Sequence, residues 1–208
     1  MACRHEAHEC DHQHDHTDEE RGTQFSLYLK INLDLVECLN ESEFGSGKNV
    51  FKPWDERLDR SRFVASDVDE ELIFNIPFTG LVKLKAIVVI GGEGGSSPKS
   101  MKLFKNSPGM SFDDVQNGIP VQSFDLCQDE NGDVEYGLRV VKFASVHHLT
   151  IYFPDNFGAD STKVYYVGFR GEFLEAFRDQ AVIATYEARP MPQDHKGTLE
   201  ENMTHEIK

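Results

Sequence analysis

Residues His148 to Phe173 read HLTIYFPDNFGADSTKVYYVGFRGEF, two apolar runs separated by a punctuated loop. In the first run Leu149, Ile151 and Phe153 alternate with Thr150 and Tyr152. Successive side chains on a strand point to opposite faces, so this run predicts a strand with one face on a core. Pro154 ends it, having no N–H to give to a ladder, and Asn156, Gly158 and Asp160 supply turn chemistry. The second run, Lys163 to Gly171, is rich in β-branched and aromatic residues, which suit a pleated, half-buried surface. Its alternation places Tyr165, Val167 and Phe169 on one face and Val164, Tyr166 and Gly168 on the other. The two strands are expected at the centre of a sandwich, with Phe153 and Phe169 inward. Neither strand end carries a nucleophile–base pair or paired carboxylates.

Other strands are laid around this pair. Glu71 to Ile76, Leu81 to Ile90 and Met101 to Lys105 read as strands, with Pro77 and Gly80 breaking the first from the second. The glycine-rich stretch Gly91 to Pro98 lacks the Lys–Ser/Thr pair of a phosphate-binding loop and leads to a strand pattern, so a hairpin loop is expected. Val121 to Leu126, Val134 to Leu138 and Arg139 to Val141 are short strand candidates, and Ser107 to Pro120 reads as a loop. Asp129 to Asp133 resembles the start of a calcium loop, but Val134 stands where an EF-hand needs glycine; Asn131-Gly132 reads as a hairpin turn. Nearer the N-terminus, Leu27, Leu29, Ile31 and Leu33 alternate as a strand, followed by a helical turn from Asp34 to Leu39. A last strand is expected at Ala181 to Ala188. Short strands with Gly, Pro and Asn turns, and almost no helical periodicity, indicate an all-β sandwich or jelly roll.

Composition narrows the function classes. The chain has 208 residues, 39% hydrophobic and 27% charged, enough for one domain with tails. A formal charge of −15 repels phosphate backbones and anionic lipid, so neither nucleic acid nor a membrane is an expected partner. Cys3, Cys10, Cys38 and Cys127 form no CxxC, and their sparse use suits a reducing compartment. Residues 1–22 are acidic and nearly free of apolar anchors, so they are expected to be a disordered tail. Their Cys3, His5, His8, Cys10, His12, His14 and His16 could gather a soft divalent metal, although the spacing fits no standard zinc module. Residues 190–208 read as a mobile C-terminal tail, leaving 23–189 as the folded domain. Cys38 reads as a small buried hydrophobe.

Between the first strand and the central ones lies FKPWDERLDRSRFVASDVDEE, dense in charge and interrupted by Phe51, Trp54, Leu58, Phe63 and Val64. Aromatics in such a loop either tie it to the domain or form a patch for a partner. Phe51, Trp54, Asp55, Arg57 and Arg60 are the candidate partner-binding residues.

Four separated blocks carry a family resemblance: FKPWDER at Phe51–Arg57, SDVDEEL at Ser66–Leu72, NIPF at Asn75–Phe78 and NFGAD at Asn156–Asp160. Together they resemble the PITH domain, known as the C-terminal domain of a proteasome-interacting thioredoxin-like protein. With a His/Cys-rich head in place of a thioredoxin domain, the chain is more similar to stand-alone members. The resemblance implies a galactose-binding-like β-sandwich jelly roll and a cytosolic or nuclear protein associated with the 26S proteasome. It supplies no active site. The redox CxxC of the thioredoxin-fused relative is missing, so reductase activity does not carry over. The expected function is therefore a non-catalytic, monomeric interaction module with no cofactor. The alternative is a binder of a small polar ligand or carbohydrate, using loops at one end of the jelly roll, with Trp54, Asp55, Arg57 and Arg60 around the ligand.

Overall fold

In a computed structural model, which describes residues 26–177, the organising element is a single strand where two were expected. β3 runs unbroken from Leu72 to Gly91. The remaining elements are β1 (Glu37–Leu39), β2 (Val64–Ala65), β4 (Ser100–Lys105), α1 (Phe112–Asn117), β5 (Gln122–Asp125), β6 (Glu135–Gly137), β7 (Val146–Phe153) and β8 (Lys163–Ala176). All pairings are antiparallel, in the order β2-β8-β3-β7-β4-β5, with β1 and β6 also pairing along β3. The first part of β3 pairs with β1 and β7, and the second with β6 and β8. One strand thus belongs to both layers.

Pro77 does not break β3. It sits opposite His148, and the register with β7 slips between there and Val82, as expected where a proline removes a ladder donor. A second slip, between Leu84 and Ala86, reverses the strand's parity. Before it Leu72, Phe74, Ile76, Phe78, Val82 and Leu84 face the main core; after it Ile87 and Val89 do. Val88 and Ile90 are turned to the outside of their layer. A bulge adds one residue and so flips every side chain beyond it. The close passage of β8 over β3 also demands glycine, since a Cβ on Gly171 would lie 2.1 Å from the carbonyl oxygen of Lys83.

The two runs read first in the sequence, β7 and β8, are both strands, but they do not pair with each other. Each flanks β3. Phe153 and Phe169 point inward as expected, with Leu149 and Ile151 beside Phe153. The second face was misassigned at one end. Ile90 pairs with Tyr166 but Gly91 with Val164, so Tyr165 is a bulged residue and Val164 faces the core with Val167 and Phe169.

Other expectations fail for local reasons. Residues 28–30 and 33–35 are 3-10 turns, and the strand comes afterwards as β1. Turn periodicity puts Leu27 and Ile31 in the core and leaves Leu29 82% exposed. The loop after β3 is a crossover, because β4 pairs with β5 and β7. Asn131-Gly132 closes no hairpin, since β5 pairs with β4 and β6 with β3. Arg139–Val141 is turn, not strand. The loop at 107–120 contains α1, started by a reciprocal cap in which Ser111 N–H donates to the Asp114 carboxylate and the Asp114 N–H donates to Ser111 Oγ. Its Val115 packs on Ile73, Phe104 and Tyr152, the outer face of the first layer. The expected strand at Ala181–Ala188, both tails and the histidine-rich metal candidates lie outside the described residues.

Phe153 and Phe169 are 0% and 2% exposed, and Phe169 is 6.1 Å from the ring of Phe51. Truncating either to alanine is expected to cost about 3–5 kcal/mol. Glu172, whose carboxylate lies beside Lys83 and Lys85 at the surface, is expected to leave the midpoint nearly unchanged when changed to alanine. Urea midpoints of the three variants check this ordering.

Candidate functional site

Several loops meet at one end of the sandwich. They are 51–63, the Gly91–Pro98 crossover, 127–134 and 154–162. The first is the charged, aromatic loop that the sequence marks out. Two short turns shape it, Ser46–Val50 leading in and Trp54–Glu56 within it.

Lys52 holds the loop from beneath. Its side chain is 1% exposed, and its ammonium donates to the carbonyl oxygens of Asp59 and Arg62, the latter at 2.8 Å. Burial lowers its pKa, with nearby Asp59 working against that shift. A buried ammonium is tolerated because two carbonyls at the far end of the loop receive its protons. Asp59 organises the same turn on the outside. Its carboxylate accepts from the Ser61 hydroxyl and backbone N–H and from Arg62, and these hydrogen bonds depress its pKa to about 2.

Each candidate partner-binding residue has a definite place. Phe51 belongs to the main core, 6.0 Å from Phe74 and 3% exposed. Trp54 lies on the outer face of the second layer with Val88, Ile90 and Tyr166. Two guanidinium groups lie over its indole, Arg57 at 4.2 Å and Arg170 at 4.8 Å. Arg57 also donates to the carbonyls of Asn131 and Trp54. Arg60 forms ion pairs with Glu93 and Glu130 and lies 5.6 Å from the Tyr165 ring. Asp55 is exposed. The structure therefore gathers Trp54, Arg57 and Arg60 at one site with Asp55 on its rim, and takes Phe51 out of it.

The residues that complete the site were not singled out by sequence reasoning. Arg170 on β8 pairs with Glu135 on β6 at 2.7 Å while covering Trp54. Tyr166 meets the indole edge-on at 6.1 Å. Burial pushes its phenol up to about 12, although Arg170 and Arg57 act in the opposite direction. Phe63 packs edge-on to Tyr165, with Lys163 over it at 4.6 Å. Asp129, the first residue of the calcium-like stretch, spends both carboxylate oxygens on the N–H groups of Asn131, Gly132 and Val134. It shapes the loop that receives Arg57. Lys163, Tyr166 and Arg170 are spaced along β8, Glu93 and Asp129 come from two other loops, and Glu135 comes from β6. No single stretch of sequence announces the set.

The remaining reactive groups stand apart. Burial raises the Cys38 thiol well above its ordinary range, with Glu41 adding to the effect, which keeps it protonated and inert. His148 is 7% exposed and burial lowers its pKa, with His147 adding to the shift. Among the described residues, no three His, Cys, Asp or Glu side chains are grouped to hold a metal ion.

Trp54 is the chain's one tryptophan, so its emission reports on this site alone. Removing the cation over it should cost about 0.5–2 kcal/mol. Arg57→Ala is expected to red-shift the emission in native buffer and lower the unfolding midpoint modestly; an unshifted spectrum would place the guanidinium elsewhere in solution. The Asp59 network also carries a pH signature. A carboxylate held at about 2 contributes order that is complete above the ordinary Asp range near 3.9 and lost as pH falls toward its depressed value. The carboxyl carbon shift of Asp59 in an NMR titration should therefore move only near pH 2.

A family model, the PITH domain, matches residues 17–190. PITH domain-containing protein 1 of Homo sapiens is 51% identical over 187 residues, covering 90% of this chain and 88% of its own. A PITH domain-containing protein of Drosophila melanogaster is 52% identical over 194 residues, covering 93% and 89%. In shape, the chain is similar to a structure of the CBM32-1 and CBM32-2 domains from Clostridium perfringens ZmpB in complex with GalNAc. The TM-score is 0.55 at 12% identity, over 76% of this chain and 39% of that one. That likeness establishes the galactose-binding-like β-sandwich jelly roll as the fold. With the family model spanning most of its length, the chain belongs to the PITH domain family.

Proposed function

We propose that this chain is a non-catalytic protein-interaction module that associates with the 26S proteasome as an adaptor or regulator, and that the loop end around Trp54 is the surface it presents. The observation that carries the reading is the way loop 51–63 is fixed. Lys52 ties it to itself, Arg57 ties it to the 127–134 loop, and Arg60 ties it to Glu93 and Glu130. A surface ordered before binding has less entropy to lose when a partner arrives. It also carries residue types from which interface anchors are made, an exposed arginine, Arg60, near a largely covered tryptophan, and it leaves Leu58 50% exposed on the same loop. The proteasome enters through the family resemblance, and with it a cytoplasmic or nuclear location; a monomeric form is a separate part of the proposal.

A carbohydrate site is the less favoured reading. Sugar stacking needs an open aromatic face, and Trp54 is 9% exposed beneath Arg57 and Arg170. A sugar there would have to displace two cations from the ring.

Charge reversal at an interface typically costs several kcal/mol through like-charge contact. Leu58→Glu combined with Arg60→Glu should abolish capture of the proteasome from cytosol by the immobilised full chain. Because Arg60→Glu would face Glu93 and Glu130, Asp55→Lys serves as a second variant that disturbs neither ion pair. Loss of capture with an unchanged thermal midpoint in either variant supports the loop end. Undiminished capture by both moves docking to another face, and selective signal on a glycan array would favour the carbohydrate reading.

A further inference from the structure

A second surface lies along β1, separate from the loop end. Among the described residues β1 pairs with β3 alone. Beside it opens a recess of about 590 Å³, lined by Asp34, the consecutive residues Val36 to Leu39, Glu41, Phe44, Gly45 and Lys48. Four residues in a row can all line one cavity only if it follows the strand's backbone edge, because alternate side chains point to opposite faces. Cys38 faces the main core and Leu39 the outer cluster against α1, so both faces of β1 are represented. Among the described residues, the recess is the open edge of a strand.

The far wall is built to stay open. Glu41 accepts hydrogen bonds from the N–H groups of Gly45 and Gly47, which fixes the turn that displays Phe44. Phe44 is 100% exposed, and Leu35, between the lining residues Asp34 and Val36, is 62% exposed. Large apolar side chains held in water beside a strand edge unpaired among the described residues are the two components of a strand-addition site: backbone groups for affinity and alternating pockets for specificity. The lining carboxylates are Asp34, Glu37 and Glu41. The single cation, Lys48, spends its ammonium on the Asp34 carbonyl at 2.9 Å.

We infer that this recess receives an extended peptide from a protein partner, added as a strand on β1, with Lys or Arg side chains meeting Asp34 and Glu37 and apolar side chains against Phe44. The charge of the recess, in a chain of net −15, selects a basic peptide and rejects an acidic one. The inference does not rest on the loop-end reading, since the two surfaces share none of their lining residues.

The test uses the full chain and a fluorescein-labelled peptide of alternating Val and Lys, about eight residues long, the span of an ordinary strand. Binding in the micromolar range is expected, with slowed hydrogen exchange at Glu37–Leu39. Interrupting the same peptide with proline at alternate positions removes its ladder donors and should abolish binding. Asp34→Lys with Glu37→Lys should weaken the Val/Lys peptide by at least about tenfold and let a Val/Glu peptide bind, which also shows that the variant is folded. Phe44→Ser, at a fully exposed position, should weaken both peptides. The inference is overturned if the Val/Lys peptide does not bind at about millimolar concentration. Equal binding of the proline-interrupted peptide would overturn it too, leaving only charge attraction. A concentration-dependent dimer that itself protects Glu37–Leu39 would assign the edge to a second copy and reject the peptide.

Discussion

The structure depends on β3 serving two layers at once. A strand of twenty residues, Leu72–Gly91, exceeds the usual length because it carries the pairing of β1 and β7 at one end and of β6 and β8 at the other. A strictly regular strand would present the same parity to the same side throughout. The register slip at Leu84/Ala86 is what allows both halves to face one core. The same slip sets the two satellite clusters, Ile73 with Phe104 and Tyr152 on one outer face and Val88 and Ile90 with Trp54 on the other. The position of the candidate site is thus a consequence of where β3 changes parity.

On the outer face that β3 turns toward loop 51–63, burial is achieved with cations. Trp54 covers Val88 and Ile90, and Arg57 and Arg170 cover Trp54. Guanidinium groups lie flat on aromatic rings while their N–H groups reach outward, so Arg57 can seal the indole and hold the 127–134 loop in one arrangement. Lys52 does the complementary task inside, closing loop 51–63 through carbonyls. A charged loop becomes a fixed surface by these contacts, and a fixed surface is the property the proposed docking role needs.

The all-β architecture was legible because β7 and much of β8 alternate cleanly, and because Gly, Pro and Asn separate the runs. The inward direction of Phe153 and Phe169 followed from that alternation. Pairing was not legible: β7 and β8 look like a hairpin in sequence, yet both lie against β3, and nothing local distinguishes the two arrangements. In sequence Pro77 looks like a break because proline usually ends a strand; here the slip beside it accommodates the missing donor. Tyr165 could not be identified as a bulge, since the extra residue shows only in its partner's register. At the site, Trp54, Arg57 and Arg60 were visible as an unusual composition for a loop. Arg170, Glu135 and Glu93 were not, because they reach the indole and the guanidiniums through tertiary structure. The capping residues Ser111 and Asp114 did carry a readable signal for α1, weakened by aspartate standing where glutamate or glutamine is usual.

Native-state hydrogen exchange tests the central claim most directly. If β3 joins both layers into one cooperative unit, the amides of Ile73 and Ile76 in its first half and of Ile87 and Val89 in its second should exchange only through global unfolding. They should share one opening free energy and one dependence on denaturant. Two distinct free energies, with one half of β3 opening while the other stays protected, would show that the layers are independently stable and would contradict this account.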